Sequence, residues 1–516
     1  MNALLLVLVC LDAAARRGLA YVPHASRSAA KPASASNDDS ARHSFVLLGA
    51  TGDLSKREIY PSLWYLYREQ LLPKNTRIFG YARRQRTIDY LRGTVEPYVT
   101  VNPGEEELYD QFWQLNSYVA GSDGSEEDYR NVDRAVSQFE DGEEANRIFY
   151  LALPPAVFVN STRNIKAAAM AKNGWTRVVL EKPFGRDSES SDELSRHVSS
   201  LFTEDQLYRM DHFLGYEVVQ NILTLRFGNR IFTPAWNNEN IASIEMDFRE
   251  NFGVEGRGSF FDANNIIRDV MQNHLLQIMS LIAMERPKSN SSDDIRDAKV
   301  DLLRYTKAIV MDDVVLGQYV ANTDSQDPRE RIGYRDDPTV PDHSNTSTFA
   351  LTVLRVENER WRGVPFIIRA GKSLNVNQTD VIVQFKNVPD NLFGSQPIRN
   401  KLVIRVKGSE GIQVKIMSKV PGYKNDIEEI VADFNYEEDY KNKRIPEAYQ
   451  KLILNVFEGS QSNFVRSDEL KEAWRIFTPI LYEIENNTTR PIEYKFGTTG
   501  PKEADEMERR NNFLRN

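Results

Sequence analysis

Ser44-Phe45-Val46-Leu47-Leu48-Gly49-Ala50-Thr51-Gly52-Asp53-Leu54 decides the fold of this 516-residue chain. Its first half is a short apolar run of the kind that makes a buried strand, and the turn after it carries Gly49 and Gly52. A helix-like run follows at once. Strand, glycine turn and helix form the layout that sets backbone N–H groups and a helix N-terminus against a pyrophosphate. The spacing is Gly-x-x-Gly rather than the full dinucleotide fingerprint. A plain tight turn needing two glycines is an equal reading of it.

Outward from that turn, strand and helix alternate. Arg77 to Arg83 reads as a second strand and its end, where an acid would bond a ribose 2′-hydroxyl and an arginine accommodates a 2′-phosphate. Arg83 therefore favours NADP over NAD, unless it is only a solvated strand-end arginine. Residues 105–112 and 126–139 read as amphipathic helices, 147–153 as a strand, 161–172 as a helix and 176–180 as a strand. This alternation from 44 to about 210 predicts a right-handed, parallel, doubly wound α/β sheet. After 240 the pattern changes. Strands are predicted at 241–249, 348–356, 364–370, 381–385, 402–406 and 412–416, and helices at 264–285, 446–457 and 466–486. That is an α+β second domain, a large mostly antiparallel sheet covered by helices on one face. Residues 289–294 and 324–337 read as polar loops. The expected organisation is a leader over 1–43, a Rossmann-like domain over 44–212, and a substrate and oligomerisation domain over 213–516.

Composition removes several function classes. A net charge of −9 argues against a nucleic-acid partner. Cys10 is the only cysteine, so disulfide frameworks and cysteine metal sites are excluded, and the six scattered histidines show no His-Glu-x-x-His pairing. No metal is expected. No apolar run reaches about 18 residues, so no membrane span is expected. Residues 4–11 resemble a signal-peptide core without its basic flank, and 21–43 are rich in Ser, Ala, Pro and Arg, as transit peptides are. The two-part layout resembles presequences addressed to plastids bounded by extra membranes; a secretory or mitochondrial leader and a disordered tail are the other readings. Cleavage would remove Cys10 and with it any thiol-based control.

Three further stretches carry candidate chemistry. In Arg209-Met210-Asp211-His212-Phe213-Leu214-Gly215-Tyr216-Glu217 an acid adjoins a histidine, and an acid can fix a histidine's tautomer. A capped helix start with a solvated histidine reads equally well. Lys182, at a strand's C-terminal end in Glu181-Lys182-Pro183-Phe184-Gly185-Arg186-Asp187, is placed toward a ligand crevice, with Pro183 a candidate cis peptide. His274 falls at helical spacing with Ile267, Val270 or Met271, Ile278 and Leu281, hence on an apolar face. Most histidines so placed are satisfied core residues. Arg369 to Ser373 mimics the end of a P-loop, but Phe366 stands where its first glycine is needed.

The segment 209–217 resembles the Arg-Ile-Asp-His-Tyr-Leu-Gly-Lys-Glu signature of the glucose-6-phosphate dehydrogenase family. Gly49-Ala50-Thr51-Gly52-Asp53-Leu54-Ser55-Lys56 is similar to its Gly-Ala-Ser-Gly-Asp-Leu-Ala-Lys turn, followed by Ile59-Tyr60-Pro61. Residues 181–187, 248–250, 255–258 and 266–274 match it too, and the likeness runs from about Ser44 to Asp505. It implies NADP-dependent oxidation of a cyclic sugar phosphate at C1. In that reading His274 is the base, Asp211 orients it, and Glu250 and Asp269 accept bonds from sugar hydroxyls. Lys182 lies between sugar and nicotinamide, and His212 and Lys372 bind phosphate. Residues 49–56, Arg83 and Phe158 would flank the coenzyme, Phe158 where relatives often have Tyr. A homodimer or homotetramer is implied.

The phosphate end departs from the family. Phe213 replaces Tyr, Tyr216 replaces Lys and Asn377 replaces Arg, a deficit on the order of 1–4 kcal/mol if nothing compensates. Weaker use of glucose 6-phosphate and better tolerance of unphosphorylated sugars are expected, unless Arg369 or another cation restores the site. A poorly catalytic paralogue acting on another sugar or as a regulatory subunit is the alternative. Some members carry a second, structural NADP; here Arg399 and Lys415 match part of that site, Gln378 and Gln413 do not, and the usual aromatic tail is missing. That second site is expected to be weak or absent.

Overall fold

The computed structural model describes residues 41–393, 399–486 and 489–515. The expected leader, with Cys10, lies outside the described residues over 1–40. The first sheet contains β1 (Arg42–Leu48), β2 (Thr76–Ala82), β3 (Asn116–Ala120), β4 (Ala145–Leu151), β5 (Thr176–Glu181) and β6 (Leu207–Met210). All its pairs are parallel, in the order β3-β2-β1-β4-β5-β6. This is the doubly wound order whose direction reverses between β1 and β4, so ligands belong at the carboxyl ends of those strands.

The second sheet has nine strands: β7 (Ile241–Arg249), β8 (Val314–Val320), β9 (Phe349–Arg355), β10 (Pro365–Gly371), β11 (Gln378–Phe385), β12 (Lys401–Lys407), β13 (Gly411–Lys419), β14 (Ile427–Asn435) and β15 (Ile492–Lys495). Their order is β14-β13-β12-β11-β7-β10-β9-β8-β15. Two of its pairs, β7 with β10 and β8 with β15, are parallel, and the others antiparallel.

Several elements differ from expectation. β3, β6, β8, β14 and β15 were not predicted, nor was the helix Ser292–Tyr305, whose start lies in the predicted polar loop 289–294. Ser291 caps that helix by accepting from the Asp294 N–H, so the polar cluster is a helix start. The predicted helix 161–172 starts earlier, at Phe158, and its last turn ends at Ala169. The helix expected from 264 begins at Gly258 and is broken at Asn265, whose φ is 54°. The Asn265 side chain then accepts from the Ile267 and Arg268 N–H groups and caps a new start. That second segment winds as a π-helix over Ile267–Leu275 and continues as an α-helix over Leu276–Ala283.

The two sheets share packing. Helix Ala448–Glu458, from the second half of the chain, covers one face of the first sheet, where Phe457 stacks on Phe45 of β1. Gly215 makes that approach possible: a Cβ there would lie 2.5 Å from the Ala448 carbonyl oxygen. At the middle of the second sheet a charged cluster is buried. Glu245 and Asp247 of β7 are fully covered, and Arg515 reaches back to both and to Glu508, which also pairs with Arg369. No helix among the described residues is long and apolar enough to cross a membrane.

Candidate active site

The coenzyme turn leaves β1 through Gly49, at φ +85°, where a Cβ would sit 2.2 Å from the Ala152 carbonyl oxygen just past β4. Only glycine fits that contact between the two strands of the reversal. Ala50 is buried, with its N–H on the Tyr81 carbonyl, and Ser55 Oγ donates back to the Gly49 carbonyl at 2.8 Å. Thr51 and Asp53 are exposed, Gly52 and Leu54 are half-covered, and Asp53 is paired with Lys56 at 3.0 Å and Arg57 at 2.9 Å. A helix starting at Asp53 leaves its first N–H groups without intrahelical acceptors, which fits a pyrophosphate. Arg83 follows β2, exposed, beside the turn's outer strand. Phe158 does not join them. Its ring is wholly buried in the apolar core and presents no surface to a coenzyme, because residue 158 opens a helix that packs onto the sheet.

Asp211 and His274, 63 residues apart, meet. Asp211 leaves β6 and accepts from the Phe213 N–H with the same Oδ1 that faces His274 Nδ1 at 2.5 Å. A carboxylate only accepts, so Nδ1 carries the proton and Nε2 is left to take one. Burial holds the His274 imidazole below its ordinary value, against the pull of the Asp211 carboxylate. Burial also opposes ionisation of Asp211, but the His274 charge and hydrogen bond, with His212 and Lys182, bring it down to about 2. The pair is an ionised acid beside a neutral imidazole, the state a general base requires.

Around it stand most of the other expected residues. Peptide Lys182–Pro183 is cis, as expected, and Lys182 Nζ donates to the Asp269 carbonyl at 2.7 Å and faces its Oδ1 at 3.4 Å. Lys372 Nζ pairs with Glu250 Oε2 at 2.5 Å, over the rings of Phe252 and Phe261. The Phe213 ring stacks on His274, while Tyr216 sits edge-on to both Phe213 and His212. Burial, then Glu410 and Glu58, push the Tyr216 hydroxyl up to about 12, so it is a neutral hydrogen-bonding group. Asn377 is exposed, on the loop between β10 and β11.

Three neighbours had no predicted role. Tyr449, from the helix that covers the first sheet, stacks on His212 with ring centroids 5.8 Å apart. Glu181, next to Lys182, is buried and accepts from the Tyr150 hydroxyl at 2.5 Å; burial raises its carboxyl to about 7. The quoted motif contained Glu181, and an acid inside an otherwise apolar strand was its signal. Trp474 Nε1 donates to the Phe184 carbonyl at 3.0 Å, pinning the loop behind Lys182.

A family model described as "Glucose-6-phosphate dehydrogenase, NAD binding domain" matches residues 46–221, and one described as "Glucose-6-phosphate dehydrogenase, C-terminal domain" matches 223–514. The chain is 53% identical over 471 residues to the glucose-6-phosphate 1-dehydrogenase of Drosophila melanogaster, covering 91% of this chain and 90% of that one. It is 54% identical over 477 residues to that of Ceratitis capitata, covering 92% and 90%. A solved structure described as glucose-6-phosphate dehydrogenase in complex with its substrate glucose-6-phosphate superposes with a TM-score of 0.87 at 40% identity, covering 92% of this chain and 99% of that one. A parallel nucleotide-binding sheet, a buried Asp–His pair at its edge and these matches over both halves agree: the chain belongs to the glucose-6-phosphate dehydrogenase family.

Proposed function

We propose that this enzyme oxidises glucose 6-phosphate at C1 to 6-phosphogluconolactone with NADP as acceptor, the first oxidative step of the pentose phosphate pathway. The observation that carries the mechanism is the Asp211–His274 pair with Nε2 free. When bound, the nicotinamide supplies the hydride acceptor. His274 takes the C1 hydroxyl proton at Nε2, and the Asp211 carboxylate stabilises the imidazolium that results. Lys182, held by Asp269, keeps the sugar in register with the coenzyme side of the crevice, where positioning is much of the available help. Glu250 and Asp269 accept from sugar hydroxyls. The preference for NADP over NAD rests on Arg83, with no acid at the β2 end to meet a 2′-hydroxyl.

His274→Asn should lower turnover by roughly 10²- to 10⁴-fold while leaving NADP binding intact. A variant with near-normal turnover sinks the mechanism.

We infer three further properties of the enzyme. A second coenzyme site is weak or absent, since the Arg399 guanidinium is engaged by Asn387 and Asn512 and Gln413 by Asp433; equilibrium dialysis should give one NADP per chain. The enzyme is a homodimer or homotetramer, consistent with Val431 and Phe434 exposed on the outer strand β14, and sedimentation would return a monomer if this is wrong. Residues 1–43 address it to a plastid, which a fluorescent fusion of that segment would contradict by staying cytosolic.

A further inference from the structure

The three replacements at the phosphate end leave His212 among neutral groups: Phe213, Tyr216 and Tyr449. Arg369 cannot supply the missing charge. It is 1% exposed and committed to Asp505 at 3.0 Å, Glu508 at 2.5 Å and the Thr499 carbonyl. Lys372 is committed to Glu250.

The second sheet offers another cation. Lys407 ends β12 directly across from Thr379 of β11, two residues after Asn377, where a bulge between Thr379 and Asp380 shifts the register. Gly408, at φ +83°, turns the chain so tightly onto the Asn377 loop that a Cβ there would lie 3.0 Å from the Asn377 carbonyl oxygen. The end of β12 is thus folded against the very loop that lost its arginine. Among the described residues Lys407 has no hydrogen-bond or carboxylate partner, although it is half-covered. It lines an open cavity of about 520 Å³ together with the acids Glu410 and Glu437 and the lysines Lys441 and Lys443. Its charge reaches the first signature as well. The His212 imidazole is held well below its ordinary value by burial first, then by His274, Lys182 and Lys407, with Asp211 opposing.

We propose that Lys407 meets the substrate phosphate beside His212, replacing from β12 the positive charge that residues 216 and 377 no longer carry. The inference rests on glucose 6-phosphate being the substrate. It makes Lys407 a specificity residue, one that favours a sugar with an anionic end over the same sugar without it. Its free ammonium costs little to recruit, because no existing ion pair has to be broken. Backbone pairing of β11 with β12 fixes where its stem starts.

The experiment compares the parent with Lys407→Gln and Lys407→Arg, using glucose 6-phosphate and glucose. The ratio of kcat/KM for glucose 6-phosphate over glucose should fall about 10- to 100-fold in Lys407→Gln, carried mainly by KM. Inhibition by inorganic phosphate should weaken in step, and Lys407→Arg should keep most of the parent ratio. An unchanged ratio in Lys407→Gln, or an equal loss with both sugars, overturns the role of Lys407 while leaving the substrate assignment standing. A parent that does not oxidise glucose 6-phosphate overturns the substrate assignment and this inference together. NADP binding by each variant, followed by fluorescence, separates loss of the fold from loss of the phosphate contact.

Discussion

The Phe213 ring lies flat on the His274 imidazole, with centroids 4.3 Å apart and planes 15° from parallel. With an aromatic ring and no hydroxyl at 213, the position acts on the base. Stacking and the Asp211 bond together leave the imidazole a single orientation. An aromatic pair is worth about 0.5–1.5 kcal/mol beyond burial, so Phe213→Leu should lower kcat roughly 2- to 10-fold with little change in NADP affinity. Steady-state kinetics at saturating substrate would show it; an unchanged kcat would assign Phe213 to packing alone.

The acid limb of the pH profile should follow His274. The base works unprotonated, and burial holds it below the ordinary imidazole value, so the midpoint of the acid limb of kcat/KM should lie below that of a free histidine. The Asp211 carboxylate stabilises the protonated ring and so raises that value. Asp211→Asn removes the support: the limb should move to lower pH while the plateau drops. A limb that stays in place or moves up would mean that another group sets it.

Glu181 couples the site to stability. Its folded carboxyl titrates near 7 against an ordinary 4.5, so the folded state holds the proton more tightly than the unfolded chain. Stability is unaffected below about pH 4.5, declines as pH rises through the interval, and carries the full penalty above 7. That penalty is on the order of 3 kcal/mol. Glu181→Gln should therefore raise the urea midpoint at pH 8 and lose the advantage near pH 4.5. Parallel curves for both proteins across that range would clear Glu181 of the effect.

Restoring the family's cations tests the phosphate end from the other side. Tyr216→Lys with Asn377→Arg should raise kcat/KM for glucose 6-phosphate at least tenfold. The gain should be larger in a Lys407→Gln background, because neighbouring charges that serve one anion are not additive. No gain in either background would show that these positions do not touch the phosphate.

The parts of the fold readable from sequence are those where burial is one-sided or complete. β1 ends in the apolar run Phe45–Leu48, fully buried because both faces of a parallel strand are covered, and β7 matched its expected bounds. β3, Asn-Ser-Tyr-Val-Ala, is a half-covered edge strand, and β14 exposes acids on a solvent face; neither has the apolar pattern that announces a strand. The break at Asn265 left no trace in periodicity, since Ile267, Met271 and His274 are buried by a π-wound segment as they would be by an α-helix. Within the site, Asp211, His274 and Lys182 were legible through motifs. Tyr449 was not, because its contact depends on which distant element packs beside His212. That adjacency follows from strand order and from the close approach at Gly215.

Arg515 pairs with Glu245 across 270 residues of chain, and that span imposes an order on folding. β7 carries its own Arg249, which pairs with Asp247 at 3.3 Å, but it leaves the ribosome long before the guanidinium that faces Glu245 is made. Until the tail returns, Glu245 must remain hydrated or take up a proton, since an uncompensated carboxylate is costly inside a sheet. The centre of the nine-stranded sheet therefore closes late, after translation has passed residue 515. A chain released short of that residue would hold a complete catalytic pair in a fold whose largest sheet leaves Glu245 without the guanidinium that faces it.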